Sequence, residues 1–237
     1  MNRINLVTEE YSYAMNEEIN TLRTNIQFSG SDKKVFLVTS CVQGEGKSGV
    51  SMKLARSLAE LKKKVLLIDA DLRKSVVIEK IAGKKPEKGL SHLLSGQAGL
   101  VDVLYATNIR GLHMIVAGPI PPNPTELLSE ETVDKMLDAL RNVYDYIIID
   151  SAPLGLVVDA AILAKKVDGA ILVLESEGIK YRFAQEVKHK LENTGCPIIG
   201  AVLTKVKRAS RGRYYGKYYG KYYGKYEKET KQEESKE

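Results

Sequence analysis

Six consecutive residues, Gly44-Glu45-Gly46-Lys47-Ser48-Gly49, have the types and spacing to hold phosphate. The glycines let backbone N–H groups turn inward around an anion, and a helix starting there adds partial positive charge. Two chemistries fit this stretch. Gly44, Gly46 and Gly49 spell G-x-G-x-x-G, the dinucleotide fingerprint, in which an acid about 20 residues further on holds a ribose. Gly46-Lys47-Ser48 spells the end of a P-loop, where lysine reaches the β- and γ-phosphates and serine ligates Mg²⁺.

Asp69 stands where the dinucleotide reading wants its acid, so the rest of the chain has to decide. Three features favour a triphosphate. Lys47 and Ser48 have no duty in a dinucleotide turn and two in a P-loop. Asp69-Ala70-Asp71 supplies two clustered carboxylates, which suit proton transfer and Mg²⁺ better than a single ribose. A later apolar run, Ile147-Ile148-Ile149, delivers Asp150 in the manner of a Walker B acid that holds Mg²⁺ through water. The strict P-loop pattern has glycine where this chain has Cys41.

The elements that position these residues can be read from the apolar pattern. Runs at Val35–Ser40, Val65–Asp71, Tyr146–Asp150, Ala170–Leu174 and Ile198–Leu203 are continuous rather than alternating, as in parallel strands covered on both faces. Leu112–Ala117 reads as a further strand. Helical patterns lie between them: residues 9–28, with Ile19, Leu22 and Ile26 on one face, then Val50–Leu61, Leu90–Leu94, Asp159–Lys166 and Lys180–Asn193. Thr125 is placed to cap a helix over Glu126–Arg141, after the stiff loop Gly118-Pro119-Ile120-Pro121-Pro122-Asn123-Pro124. This alternation predicts an α/β fold with a doubly wound, mostly parallel sheet and helices on both faces, ligand bound beyond the strands' C-terminal ends. Gly44–Ser48, Asp69, Asp71 and Asp150 all fall there.

Composition narrows the class. The 237 residues are 43% hydrophobic, enough for a sizeable core. No run of 18 apolar residues predicts a membrane span, and Met1–Asn5 lacks the apolar stretch of a signal peptide. Cys41 and Cys196 are too few for a disulfide framework, so the cytoplasm is the expected compartment. His92, His113 and His189 are scattered without metal spacing, and Cys41 reads as a small buried residue. The net charge of +6 belongs to the C-terminal end. From Lys205 onward there are 11 Lys/Arg against 5 Asp/Glu, and residues 1–204 balance. Residues 213–226 repeat Tyr-Tyr-Gly-Lys and hold seven of the 13 tyrosines. With regular glycines and no aliphatic residue, the repeat cannot bury a core, and the tail 207–237 that carries it is expected to be disordered. The expected division is therefore an N-terminal helical segment over 1–30, a nucleotide-binding domain over 31–206, and the tail.

From about Tyr11 to Tyr226 the sequence resembles the bacterial tyrosine kinases, the BY-kinase family of capsule and exopolysaccharide systems, in the cytoplasmic form that pairs with a separate membrane adaptor. The residues that carry this are Gly44–Ser48 (Walker A), Leu67-Ile68-Asp69-Ala70-Asp71-Leu72-Arg73 (Walker A′), Ile148-Ile149-Asp150-Ser151-Ala152-Pro153 (Walker B), the 118–124 loop and the tyrosine cluster. The MinD/ParA switch ATPases share the first two motifs. They carry a signature lysine before the glycines, where this chain has Val42.

The resemblance implies an ATP- and Mg²⁺-dependent protein-tyrosine autokinase. Lys47, Asp69 and Asp71 are the implied catalytic residues, with Asp69 the base or orienter for the incoming hydroxyl. Gly44, Glu45, Gly46, Lys47, Ser48, Gly49 and Arg73 bind the nucleotide, with Arg73 equally suited to a structural salt bridge. Ser48, Asp71 and Asp150 serve the metal. Tyr214, Tyr215, Tyr218, Tyr219, Tyr222, Tyr223 and Tyr226 are the phosphoacceptors, presented in trans within a homo-oligomer, a ring in this family. Implied partners are the adaptor's cytoplasmic segment, which recruits the kinase to the inner face of the plasma membrane, and a cognate tyrosine phosphatase; nucleic acid is not expected.

The ring motif Glu-x-x-Arg-x-x-Arg appears with Glu17 and Arg23 but with Asn20 at its centre. Thr204-Lys205 stands for the family's Asn-Arg near adenine, and Ser75 for a proline after Arg73 and Lys74. Competing readings are a switch ATPase whose basic, aromatic tail docks on membrane or nucleic acid, and an inactive regulator phosphorylated by another kinase.

Overall fold

In the computed structural model, residues 2–8 and 10–206 are described. The tail at 207–237, with its seven predicted acceptor tyrosines and its predicted disorder, lies outside the described residues. The helices are α1 (Tyr13–Phe28), α2 (Lys47–Glu60), α3 (Leu90–Leu94), α4 (Leu100–Val103), α5 (Pro124–Ser129), α6 (Glu131–Arg141), α7 (Asp159–Ala164) and α8 (Tyr181–Glu192). The strands are β1 (Asn2–Arg3), β2 (Asn5–Leu6), β3 (Val35–Ser40), β4 (Val65–Ala70), β5 (Ile81–Ala82), β6 (Tyr105–Ala106), β7 (Leu112–Ile115), β8 (Tyr146–Ser151), β9 (Gly169–Glu175) and β10 (Ile198–Thr204).

Eight strands form one sheet in the order β1-β6-β7-β4-β8-β3-β9-β10, while β2 and β5 pair separately. From β7 to β10 every pairing is parallel, and only β6 runs antiparallel to β7. Every residue of β3 and β4 is buried, which explains their unbroken apolar runs. Alternate residues feed two cores. Val35, Leu37, Leu66, Ile68, Ile147 and Ile149 pack with residues of α3 and α5 to α8. Phe36, Val38, Val65, Leu67 and Ile148 pack against Leu54 and Leu58 of α2 and Ile26 of α1. Period-two side-chain alternation thus builds a three-layer sandwich.

The order of strands decides where the chemistry sits. β8 lies between β3 and β4, so the loops after β3 and β4 and the end of β8 meet at one edge. Asp69 of β4 and Asp150 of β8 are direct cross-strand partners.

The structure departs from the pattern reading in three places. The helix expected over Glu126–Arg141 is two, α5 and α6, broken at Glu130, whose ψ of 147° is extended. Thr125 lies inside α5 rather than capping it; Asn123 holds the cap position and Pro124 opens the helix. The N-terminus adds strands too short to show in any pattern. Asn2 and Arg3 pair with Tyr105 and Ala106, and Ile4 and Leu6 are buried in the α1–α2 core. No helix among the described residues is long and apolar enough to cross a membrane.

Candidate functional site

The phosphate cradle grows from local backbone chemistry. Gly46 caps α2 with φ of +88°, a left-handed conformation that costs glycine little and other residues more. Its turn starts the helix at Lys47, three residues earlier than the apolar pattern suggests. Glu45 is fully buried and turned away from the cradle. Its Oε2 accepts from the Cys41 and Val42 N–H groups at 2.6 and 2.7 Å, and its Oε1 from the Glu175 N–H at 3.1 Å. The Thr204 hydroxyl donates to the Glu45 carbonyl at 2.6 Å. Glu45 and Thr204 therefore hold the loop's shape and tie it to the ends of β9 and β10. Lys205 is paired with Glu175 at 2.9 Å.

Lys47 gathers the acids. Its Nζ lies 3.1 Å from Asp71 Oδ2, 3.7 Å from Asp150 Oδ2 and 3.2 Å from Ser48 Oγ. Lys47, Asp69, Asp71 and Asp150 are all buried. Ser51, one turn along α2 from Lys47, donates to Asp150 Oδ1 at 3.2 Å. Asp150 Oδ2 has no hydrogen-bond partner. A buried carboxylate oxygen with no hydrogen bond and only the 3.7 Å ion contact to Lys47 is costly and calls for a closer cation or a proton. Burial pushes the Asp150 carboxyl upward, against the opposing charge of Lys47. Asp69 is pushed up to about 7, by burial first and then by the charge of Asp150; the Ser75 hydroxyl, Lys47 and the Asp71 N–H hold it down. Asp69 Oδ2 accepts from Ser75 Oγ, and its Oδ1 from the Asp71 N–H at 3.3 Å.

The donor set suits Mg²⁺. Asp71, Asp150 and Ser48 offer hard oxygens around an orphaned carboxylate oxygen. Among the described residues no group of three or more His, Cys, Asp or Glu is arranged to hold a metal. A bound ion would complete its shell with water and phosphate oxygens, as Mg²⁺ prefers.

Arg73 is engaged elsewhere. It clamps Asp159 with Nε at 2.7 Å and Nη2 at 3.0 Å, and donates to Thr125 Oγ1 at 2.8 Å; Thr125 in turn donates to Asp159 at 2.9 Å. Of its two readings, the geometry favours the salt bridge. Glu17 and Arg23 lie apart from the cradle. Arg23 Nη1 turns onto α2 and donates to Ser57 Oγ at 2.9 Å, and Glu17 accepts from Asn20 at 3.3 Å. Cys41 is buried with its thiol pushed up to about 12, by burial and then Glu45, which suits a packed residue. Ser51, Ser75 and Asp159 carry no motif of their own. Only Ser51's spacing of four from Lys47 hinted at a place on the site's face.

A family model described as an AAA domain matches residues 33–191. Tyrosine-protein kinase CpsD of Streptococcus agalactiae is 42% identical over 211 residues, covering 88% of this chain and 92% of that protein. Among solved structures, the chimerical protein CapA2B2 superposes with a TM-score of 0.80 at 28% identity, over 88% of this chain and 95% of that one. The kinase domain of Escherichia coli tyrosine kinase ETK gives 0.78 at 33% identity, over 83% and 78%. The P-loop, the convergent acids and these likenesses agree: the chain belongs to the bacterial tyrosine-protein kinases and is a nucleotide-binding protein-tyrosine kinase.

Proposed function

We propose that this kinase transfers the γ-phosphoryl of Mg-ATP to tyrosines in the C-terminal cluster of a neighbouring copy, and thereby regulates capsule or exopolysaccharide synthesis and export. The observation that supports this best is the convergence of two buried acids, Asp71 and Asp150, on Lys47 at the mouth of a glycine cradle, with buried Asp69 beside Asp150 on the neighbouring strand. Lys47 exchanges its contacts with Asp71 and Asp150 for the β- and γ-phosphates, and the N–H groups of residues 44–49 bind the same oxygens. Ser48, Asp71 and Asp150 would hold Mg²⁺. When bound, the ion neutralises charge on the phosphates.

Asp69 accepts the proton of the attacking phenol. Free tyrosine has a pKa near 10, so it needs a base within hydrogen-bond reach. In this reading Glu45 serves the nucleotide by shaping the loop, and Arg73 by fixing the segment after Asp71.

The tail suits the acceptor role. Its lysines complement an acidic site, and each phosphate adds about −1.5 to −2 charge. Modifying all seven tyrosines adds roughly −10 to −14, against a net charge of +6 from Lys205 onward. That reversal is the switch that breaks an oligomer; within the α1 motif Asn20 occupies Glu17 and Arg23 reaches Ser57. Residues 1–30 form the adaptor- and oligomer-facing segment, 31–206 the catalytic domain and 207–237 the substrate. The adaptor's cytoplasmic segment recruits the kinase to the membrane, and a tyrosine phosphatase resets the tail.

The test is incubation with Mg-ATP, with and without the adaptor's cytoplasmic segment, followed by detection of phosphotyrosine. Tail phosphorylation that is absent in Lys47→Met is the expected result. Phosphate release without phosphotyrosine would instead identify a switch ATPase, and no reaction with the adaptor segment an inactive regulator. Replacing all seven tail tyrosines with Phe should leave an oligomer that ATP cannot dissociate.

A further inference from the structure

Six of the 13 tyrosines lie among the described residues, at positions 11, 13, 105, 144, 146 and 181. To serve as a kinase substrate, a tyrosine has to leave its surroundings and enter an active site. Tyr105 and Tyr144 are buried, Tyr105 donating to the Lys88 carbonyl at 2.9 Å and Tyr144 lying 2.7 Å from His113 Nδ1. Tyr146 belongs to β8 and packs on Phe36, while Tyr13 and Tyr181 open helices α1 and α8. Tyr11 alone of the six is neither buried nor in a helix or strand; it precedes Ser12, the cap of α1.

The surroundings of Tyr11 are cationic. Lys53 Nζ lies 5.4 Å and Arg56 Cζ 5.3 Å from the centre of its ring. Arg56 also pairs with Glu60 at 2.9 Å, but Glu60 is half exposed and such a surface pair is weak. Lys53 reaches back toward the cradle: its Nζ lies 3.7 Å from where a Cβ on Gly49 would stand. Both cations sit on α2, the helix that leaves the P-loop.

We propose that Tyr11 is a phosphorylation site of this kinase, and that Lys53 and Arg56 bind the resulting phosphotyrosine. The inference rests on the trans-autokinase reading above. The phenol oxygen attacks the γ-phosphorus of ATP bound to another copy. An O–P bond forms, the bond from the γ-phosphorus to its bridging oxygen breaks, ADP leaves, and the phenol proton passes to that copy's Asp69. The second copy is required because residues 53 and 56 lie about 9–14 Å along α2 from Lys47, at 1.5 Å per residue. Back in its own chain, phosphotyrosine 11 exchanges two ring–cation contacts for charge-assisted bonds to Lys53 and Arg56. The added charge of about −1.5 to −2 draws Lys53 away from Gly49 and fastens the segment before α1 to the P-loop helix.

The experiment uses the full chain, stripped with a tyrosine phosphatase and then incubated as in the assay above, with phosphopeptides mapped by mass spectrometry. Phosphate on Tyr11 as well as on the tail is expected, and Tyr11→Phe should lose the first and keep the second. On re-adding the phosphatase, phosphotyrosine 11 should disappear at least threefold more slowly than the tail sites, and Lys53→Gln/Arg56→Gln should erase that difference. A phosphorylated tail with Tyr11 bare overturns the Tyr11 site alone. Equal phosphatase rates in the parent overturn the Lys53–Arg56 clamp. No phosphotyrosine at any position overturns the autokinase reading and this inference with it.

Discussion

Two sets of acids in this protein are treated in opposite ways. Asp159 and Asp168 are satisfied. Asp159 receives both arms of Arg73 and the Thr125 hydroxyl, and Asp168 receives the Lys34 and Val35 N–H groups at 2.8 Å each and a two-armed Arg141 at 2.7 and 2.8 Å. Asp69 and Asp150 sit side by side on adjacent strands, and one Asp150 oxygen has no hydrogen bond at all. Satisfied acids fix geometry, joining segments as distant as residues 73 and 159. Under-satisfied acids store a demand for charge that a nucleotide, a metal or a proton can meet. The contrast separates what the fold needs from what the reaction needs.

The largest expected effect breaks that contrast on the reactive side. Asp69→Asn should lower phosphotyrosine formation by about 10²–10⁴-fold, the usual contribution of a general base. Its melting temperature should equal or exceed the parent's, because the change removes a buried charge that folding disfavours. A drop of several degrees would mean that Asp69 is structural and would place it with Asp159. The converse test is Asp159→Ala. It strands the Arg73 guanidinium and the Thr125 hydroxyl, and should cost about 3 kcal/mol in denaturant unfolding. Turnover per folded molecule should fall far less than in Asp69→Asn.

pH sharpens the comparison, because Asp168 and Asp69 shift in opposite directions. Burial raises Asp168, but Arg141 and the two backbone N–H groups outweigh it and hold the carboxyl below its ordinary value. Its contribution to stability is therefore present above the unfolded value of about 4 and is lost as pH falls through the lower folded value. Asp69 behaves in reverse. With a folded value of about 7, it weakens the fold progressively as pH rises from about 4 to about 7, since the unfolded chain ionises first. The gap in melting temperature between Asp69→Asn and the parent, measured without nucleotide, should widen across that window and stay flat above it. A constant gap would remove the argument that Asp69 is held as a strained acid.

The same division explains what could be read from the sequence. The strands β3, β4 and β8 were legible because their apolar runs are continuous, and Asp69, Asp71 and Asp150 were legible because they end those runs. Strand order then does the rest, since β8 inserts between β3 and β4. The satisfying partners were not legible. Arg73 meets Asp159 across 86 positions and Glu45 meets Glu175 across 130, and no local pattern records such distances. Glu45 lies within the motif, yet its carboxylate turns inward to the backbone of residues 41, 42 and 175. The two-residue strands β1 and β2 are too short for any period, and the break at Glu130 is a single extended ψ within an apolar pattern that continues through it.

The smallest effect tests the one bond that crosses the divide. The Ser75 hydroxyl donates to Asp69 Oδ2. That bond favours the ionised carboxylate, and so opposes the burial and the Asp150 charge that push Asp69 upward. Ser75→Ala should therefore raise the Asp69 value and carry the acid limb of the pH–rate profile with it. At neutral pH the rate of tail phosphorylation should fall a few-fold, about 3–10-fold for a shift of half to one pH unit. Raising the pH should restore it, because the base is merely protonated rather than removed, and Ser75→Thr should behave as the parent. A loss that persists at alkaline pH would show that Ser75 acts on the shape of the 71–75 turn instead. Ser75 would then belong with Arg73 and Thr125 among the residues that serve the fold.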